Sequence, residues 1–459
     1  MSYSKLIATL LYLIFTIWLF LETNMSYLGQ LSVALFILSL GLFIFSKMPA
    51  GLSAMLVVCL GVLLGLPESI LYESLEEHVI WLMIGAFIIG GVVETSGLLD
   101  RLIRWIEVKC TSEKRLNVLV FLFIQILSLI IPSTSGRAAA LLPVYQAFTD
   151  RFSANRRYLG LLMPILVLMG TNLSLIGAGS HLIGIGLLEN QADQSITYLQ
   201  FLIWGLPFGI VIGIISLLMI KKIYMKPIEA EVTEKAMEPV HEKHPFSTKE
   251  KKALVLIGLT VLLWITEPVH QFDIAFITIL MSLIMMLPKI DLIGWREAFN
   301  RVSWSLIFFV AGATALGNLL AKYKVLDVIQ HNLFKVMHHL ELTNTFVPLV
   351  LIVVISVTSH LYITSHTSRA VVFIPLLIVF GKMFGLNLTA VVFMALIGMN
   401  YCLTFPVSSK ALLLFYENKE KPFTIKQLMH LSMWLMPLYM IAMIVMYYVF
   451  WQHVGLALK

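Results

Sequence analysis

Apolar residues in this chain come in long runs separated by short polar stretches. The shorter runs lie at about 6–21, 28–45, 52–66, 79–98, 201–220, 253–264, 272–287, 302–320 and 428–450. They suit single crossings of a bilayer, for which about 17–25 residues of helix are needed. The four longest runs, 118–148, 158–188, 345–380 and 388–416, are interrupted near their middles. The first break reads Ile131-Pro-Ser-Thr-Ser-Gly-Arg137 and the third Thr364-Ser-His-Thr-Ser-Arg369. The second is Gly170-Thr-Asn-Leu-Ser-Leu-Ile-Gly-Ala-Gly-Ser-His181 and the fourth Asn400-Tyr-Cys-Leu-Thr-Phe-Pro-Val-Ser-Ser-Lys410.

This order repeats. The polar, Lys- and Glu-rich stretch 221–252, with Pro227, Pro239 and Pro245, divides two halves that look alike. An extra helix at 1–24 precedes the first repeat, 25–220, with its leading helices at 25–100 and a hairpin plus broken and closing helices at 116–220. The second repeat, 253–459, has its leading helices at 253–322 and its hairpin with broken and closing helices at 345–451; the family resemblance described below implies that the leading helices are scaffold and the rest transport helices. The expected fold is an all-α polytopic membrane protein: about 11 transmembrane segments plus two re-entrant hairpins, in two inverted repeats. Broken apolar segments at matching places in two halves are the best pointer that a sequence gives to a transporter's binding site.

Setting Pro143 on Pro375 places Ser133 on Ser365, Ser135 on Thr367 and Arg137 on Arg369. A re-entrant tip leaves backbone groups unpaired, so it has to be buried in protein or line a watery cavity. The hydroxyls of Ser133, Thr134, Ser135, Ser365 and Thr367 either satisfy that backbone or bind a ligand. The helix leaving each tip directs N–H groups and a positive dipole end at the break, which favours an anion. Arg137 and Arg369 fall in that first turn, where a cation is poorly placed and costly at membrane depth. A bound anion removes both objections, and arginine suits bidentate recognition of carboxylate, sulfate or phosphonate. The competing reading is structural: each arginine caps carbonyls of a neighbouring broken helix or pairs with Glu94.

Composition narrows the class. Hydrophobic residues make up 59% of the 459 and charged ones 13%, against roughly 25% charged in soluble domains. The net charge of +6 does not imply a nucleic-acid partner, because the basic residues lie in the loops between spans. With the N-terminus in the cytoplasm, Lys322, Lys324, Lys335, Lys382 and Lys459 fall outside, and Arg137, Arg369 and Lys410 at membrane depth. The rest of the 32 Lys and Arg fall inside, as the positive-inside rule requires. The expected location is the inner membrane, with the C-terminus outside. Cys59, Cys110 and Cys402 are isolated, and no nucleotide, zinc-protease or hydrolase motif occurs. A pump driven by ATP is therefore disfavoured, and no cofactor is expected.

Further polar residues divide between lining and coupling. His366 and His181 are either proton-coupling groups or satisfied polar groups at a tip. Lys410 holds negative charge, replaces a metal cation, or snorkels to the cytoplasm. Thr171, Asn172, Thr404 and Ser408 are lining candidates, and Glu94 is an unusual acidic residue within the 79–98 span.

The two tips, each led by serine and followed by small residues and a proline, together with the repeated five-element halves, resemble the divalent anion/sodium symporter family. The resemblance spans nearly the whole chain. It implies a carboxylate or sulfate carrier, a homodimer, a scaffold domain, a transport domain and elevator-type alternating access. The family's tips usually read Ser-Asn-Thr and help to bind substrate carboxylates and, with the adjoining broken-helix loops, sodium. Here they read Ser133-Thr134-Ser135 and Ser365-His366-Thr367, and Gly179-Ser180-His181 and Ser408-Ser409-Lys410 stand near the family's Thr-Pro-Pro-Asn-like loops. Fixed cations at Arg137, Arg369 and Lys410 argue for exchange, uniport or proton coupling in place of sodium symport. Whether sodium takes part, and what metal site exists, stay open.

The leading expectation is a secondary transporter of an anion, first a di- or tricarboxylate. Another oxyanion on the same fold, sodium-coupled, is the alternative. An anion channel and an intramembrane enzyme using His366 beside Ser365 and Thr367 are more remote. No enzymatic activity is expected.

Overall fold

The computed structural model of the chain describes residues 3–22, 25–109, 113–131, 133–151, 155–225, 245–325, 328, 345–418 and 420–459. Most of the expected linker, Pro132 of the first tip, Cys110 and Lys335 lie outside the described residues. Every described element is helical, as in an all-α polytopic membrane protein.

The first half comprises α1 (Tyr3–Glu22), α2 (Tyr27–Phe45), α3 (Ala50–Leu63), a short α4 (Ser69–Glu76), α5 (His78–Thr95) and α6 (Leu98–Lys109). The arms α7 (Glu113–Ile130) and α8 (Thr134–Arg151) follow, then α9 (Arg156–Gly170), α10 (Gly179–Ala192) and α11 (Tyr198–Tyr224). The second half opens with α12 (Thr248–Ile265), the one-turn α13 (Glu267–His270), α14 (Ile274–Met286), a short α15 (Trp295–Arg301) and α16 (Trp304–Lys322). It continues with arms α17 (Phe346–Thr358) and α18 (His366–Met383), then α19 (Leu388–Met399), α20 (Lys410–Tyr416) and α21 (Ile425–Val449). Among the described residues, α5, α11, α16, α18 and α21 are long and apolar enough to cross a membrane on their own. Shorter apolar helices, including α3 and α14 at matched places, make up the rest.

Two polar stretches between the apolar runs also form helices: the acidic stretch 67–77 contains α4, and the stretch carrying Arg101, Arg104 and Lys109 forms the amphipathic α6.

Local signals explain where the helices begin. The last long helix of each half, α11 and α21, opens on a Thr-x-x-Gln capping box, Thr197 with Gln200 and Thr424 with Gln427. In each box the threonine hydroxyl and the glutamine amide satisfy backbone groups that the first turn leaves bare. Ser247 and Glu250 do the same for α12. Both α11 and α21 carry an internal proline, Pro207 and Pro437.

Packing repeats the symmetry of the sequence. α3 packs on α16 as α5 packs on α14, and α10 packs on α18 as α20 packs on α8. Each contact has its counterpart when the halves are exchanged, as a two-fold relation demands. α7 lies on α9 and α17 on α19, both at close range. A Cβ placed on Gly170 would sit 2.3 Å from Ser128 Oγ, and one on Gly398 2.0 Å from Ser356 Oγ. Only glycine permits that approach.

Candidate functional site: two tips and two broken helices

The sequence correspondence between the tips reappears as geometry. Ser133 Oγ accepts from Gly136 N at 3.2 Å and lies 3.0 Å from Ser135 Oγ; Ser365 Oγ accepts from Ser368 N at 3.3 Å and lies 3.2 Å from Thr367 Oγ1. Each lead serine is therefore a helix N-cap, satisfying a donor of the first turn. Thr134, Ser135, His366 and Thr367 remain partly accessible.

The broken helices match as well. Ser174 and Phe405 are extended, a single 3-10 turn follows each at 175–177 and 406–408, and Ala178 and Ser409 are again extended before α10 and α20 begin. This register places Thr171 opposite Cys402 and Gly177 opposite Ser408.

Arg137 and Arg369 are fully buried, at 0% exposure. Arg137 Nη2 donates to Gly177 O at 2.6 Å and Thr171 Oγ1 at 3.3 Å, and its Nε donates to Ser133 O at 3.4 Å. Arg369 Nη1 donates to Tyr401 O at 3.3 Å. Each arginine thus reaches across to the carbonyls of a broken helix, as the structural reading anticipated. Capping does not exhaust them. Arg137 Nη1 and Arg369 Nε and Nη2 are buried with no hydrogen-bond partner.

Glu94 is not their counter-ion. It ends α5, exposed, where Arg301 of α15 holds it in an ion pair. Among the described residues the only buried acid is Glu250, at the start of α12. Two buried guanidiniums therefore sit without a carboxylate, an arrangement that costs several kcal/mol per ion unless something anionic arrives.

The histidines occupy defined places. His181 Nδ1 lies 3.1 Å from Ser174 O, and a carbonyl only accepts, so the ring proton sits there. Its Nε2 then accepts from Asn400 Nδ2 at 2.9 Å, while the same amide donates to Asn172 Oδ1 at 2.7 Å. Tyr439 OH approaches Asn172 Oδ1 at 3.2 Å. This cluster ties the first broken helix to the second. His366 Nδ1 pairs with Ser180 Oγ at 2.9 Å, and its Nε2 has no partner. It addresses neither Ser365 nor Thr367, so the pairing of His366 with its sequence neighbours that an enzyme reading called for is not formed.

Thr404 belongs to a relay that the sequence did not single out. His360 Nδ1 donates to Val357 O at 2.7 Å, leaving Nε2 to accept from Thr404 Oγ1 at 2.7 Å; Ser432 and Tyr401 continue the chain at 2.8 and 2.9 Å. His360 and Asn400 were missed. Asn400 opens the second break as Asn172 stands in the first, a signal that was present; His360 precedes the tip with nothing to mark it. Ser408 is buried with an unpaired hydroxyl. Of the three readings of Lys410, snorkelling agrees best with where it lies. It is exposed at the start of the seven-residue α20 and does not join the buried cluster.

Among the described residues no group of three or more His, Cys, Asp or Glu could hold a metal ion. The unpaired groups that the two arginines bring to the tips are all donors, which suits an anion better than a cation.

Comparison with known proteins agrees with this chemistry. The sequence profile of a citrate transporter family matches residues 40–398. A Cupriavidus necator protein named only as a membrane protein is 26% identical over 252 residues, 52% of this chain and 48% of that one. The citrate/succinate antiporter of Escherichia coli K12 is 23% identical over 321 residues, 66% of this chain and 64% of the antiporter. The chain thus spans about half to two thirds of the length of these relatives. The crystal structure of the Alcanivorax borkumensis YdaH transporter covers 94% of this chain and 99% of its own, with a TM-score of 0.62 and 13% identity, a likeness of fold. The family profile and the antiporter match bear out the carboxylate-carrier resemblance.

Proposed function

The chain belongs to the citrate transporter family, and from that premise we propose that it is a secondary active carrier of a di- or tricarboxylate across the cytoplasmic membrane. One observation carries the reading most directly: two buried arginines at corresponding positions of the two halves, each with free donors and neither with a carboxylate partner. A carboxylate bound between tips and broken helices neutralises them during passage.

Sodium is dispensable in this reading. Arg137 occupies a turn lined by Gly177 O and Thr171 Oγ1, and Arg369 reaches Tyr401 O. Carbonyl and hydroxyl oxygens of that kind are ligands for a hard cation, and the guanidinium groups fill the role permanently. The carrier then works by exchange, with the substrate itself as the counter-load.

Movement follows the elevator pattern. The hairpins, α9–α11 and α19–α21 form the moving block, and α2–α5 with α12–α16 form the frame, paired in a homodimer. Packing supports this division, because α3 with α16 and α5 with α14 hold to one another, while α10 and α18 provide much of the block's contact with them. The basic side of the molecule faces the cytoplasm.

Counterflow in proteoliposomes tests the proposal. Labelled citrate and succinate are offered to vesicles preloaded with unlabelled substrate, with sodium, potassium or choline as the outer cation. Uptake in all three buffers that disappears in Arg137→Ala is the expected result. Uptake confined to sodium would refute the fixed-cation argument, and steady conductance without counterflow would point to a channel. Uptake of sulfate but of neither carboxylate would replace the substrate class.

A further inference from the structure

The two arginines match in position but not in engagement. Arg137 commits Nε and Nη2 to protein oxygens and keeps Nη1 free, whereas Arg369 commits Nη1 and keeps Nε and Nη2 free. The difference is chemical as well as numerical. Nε and Nη2 lie on one edge of the planar guanidinium, with their N–H bonds parallel, and that edge matches the two oxygens of a carboxylate.

The cause lies in the broken helices. Where the first offers Thr171 to its arginine, the second offers Cys402, whose thiol lies near Arg369 without accepting from its Nε or Nη2 and donates to Asn400 O at 3.5 Å. A thiol is a weak acceptor where a hydroxyl is a good one. Arg369 is therefore held at its tip by a single carbonyl and left short of acceptors at its side-on edge. Unsatisfied buried donors of this sort are rare in folded proteins and call for an explanation. His366 Nε2, in the same turn of α18, is a further buried group without a partner.

We infer that the arginines divide the work: Arg369 grips one carboxylate of the substrate side-on through Nε and Nη2, while Arg137 serves chiefly as the resident cation of the first broken helix. Recognition is then polarised toward the second half of a symmetric fold, and Cys402 keeps the gripping arginine available. The inference rests on the carboxylate-carrier reading and deepens it.

The full chain, purified in detergent, is titrated with citrate and with succinate, following the ligand-induced rise in melting temperature; counterflow KM is measured in parallel. Wild type sets the reference. Arg369→Lys keeps the charge but loses the two-pronged edge, and its apparent affinity should fall at least tenfold. Arg137→Lys should lower the melting temperature of the unliganded protein and weaken affinity far less than Arg369→Lys. Cys402→Ser is the sharper probe, since a hydroxyl there pins Arg369 as Thr171 pins Arg137. It should raise the melting temperature without ligand and weaken binding severalfold, opposite effects that lost packing does not produce together.

Wild-type binding with Arg369→Lys or Cys402→Ser unchanged in affinity would overturn the division of labour and leave the carrier standing. Arg137→Lys losing as much affinity as Arg369→Lys would overturn it as well. Should Arg369→Lys fail to fold, Cys402→Ser decides the matter alone. No binding of either carboxylate by wild type would sink the substrate reading and this inference with it.

Discussion

A single methyl group placed at Gly205 should damage the site from behind. Helix α11 passes so close to the first broken helix that a Cβ at Gly205 would stand 2.2 Å from the carbonyl oxygen of Asn172. Ordinary carbon–oxygen contact requires about 3.3 Å, so in Gly205→Ala one backbone must yield by about 1 Å. The backbone that yields carries Asn172, whose side-chain oxygen receives Asn400 Nδ2 at 2.7 Å. A displacement of that size stretches the bond beyond useful hydrogen-bond length. That lost bond at about 1 kcal/mol, added to roughly 1–3 kcal/mol of overpacking strain, gives about 2–4 kcal/mol. Gly41→Ala is the control, because nothing lies within 4 Å of a Cβ there. In the interior of α2 it should be neutral or stabilising by about 0.5–1 kcal/mol. Thermal unfolding in detergent, followed by tryptophan fluorescence, reads the stability, and counterflow reads the site. Gly205→Ala melting with wild type and transporting at the wild-type rate would refute the close approach and the argument built on it.

Two further outcomes follow from the geometry. Asn400→Ala should orphan His181 Nε2 and Asn172 Oδ1 at about 1–3 kcal/mol for each buried group; an unchanged melting temperature would count against the cluster. At the start of α12, the hydrogen bond from Arg101 holds the Glu250 carboxyl down at about 2, with the Ser247 backbone assisting. A folded-state value below the ordinary 4.5 means that the clamp stabilises above that pH and is lost as pH falls toward 2. Wild type should therefore melt above Glu250→Gln at pH 6, with the gap closing below pH 4.5, and a gap constant down to pH 2.5 would show that the clamp contributes nothing.

The breaks in the chain were legible because they violate a strong rule. Small polar residues, a glycine and a full charge inside an apolar run have no place in lipid, so Ser133 to Arg137 and Ser365 to Arg369 announced themselves. Their correspondence, read from the spacing of Pro143 and Pro375, survives down to individual caps. Facing directions were not legible. Nothing local in the sequence says that Glu94 turns toward Arg301 rather than toward a tip, or that the seven residues of α20 leave Lys410 exposed. Those outcomes depend on contacts between segments some two hundred residues apart, for which a lone charge carries no address. Cys402 escaped notice for another reason: with no second cysteine near it in sequence, it offered neither a disulfide nor a metal motif. Its meaning comes only from the threonine across the pseudo-symmetry.

The serine–glycine contacts beneath the tips bear on tempo. With Ser128 set against Gly170 and Ser356 against Gly398, the outer arm of each hairpin seats a serine side chain directly on a glycine of its neighbouring helix, and such contacts leave little play. Under the elevator movement proposed above, a tip mounted this way travels with its cradle and does not flap like a lid. The clock of such a machine is wound by its surroundings. Bilayer thickness, lipid viscosity and temperature should alter the frequency of each stroke more than they alter the strength of the grip.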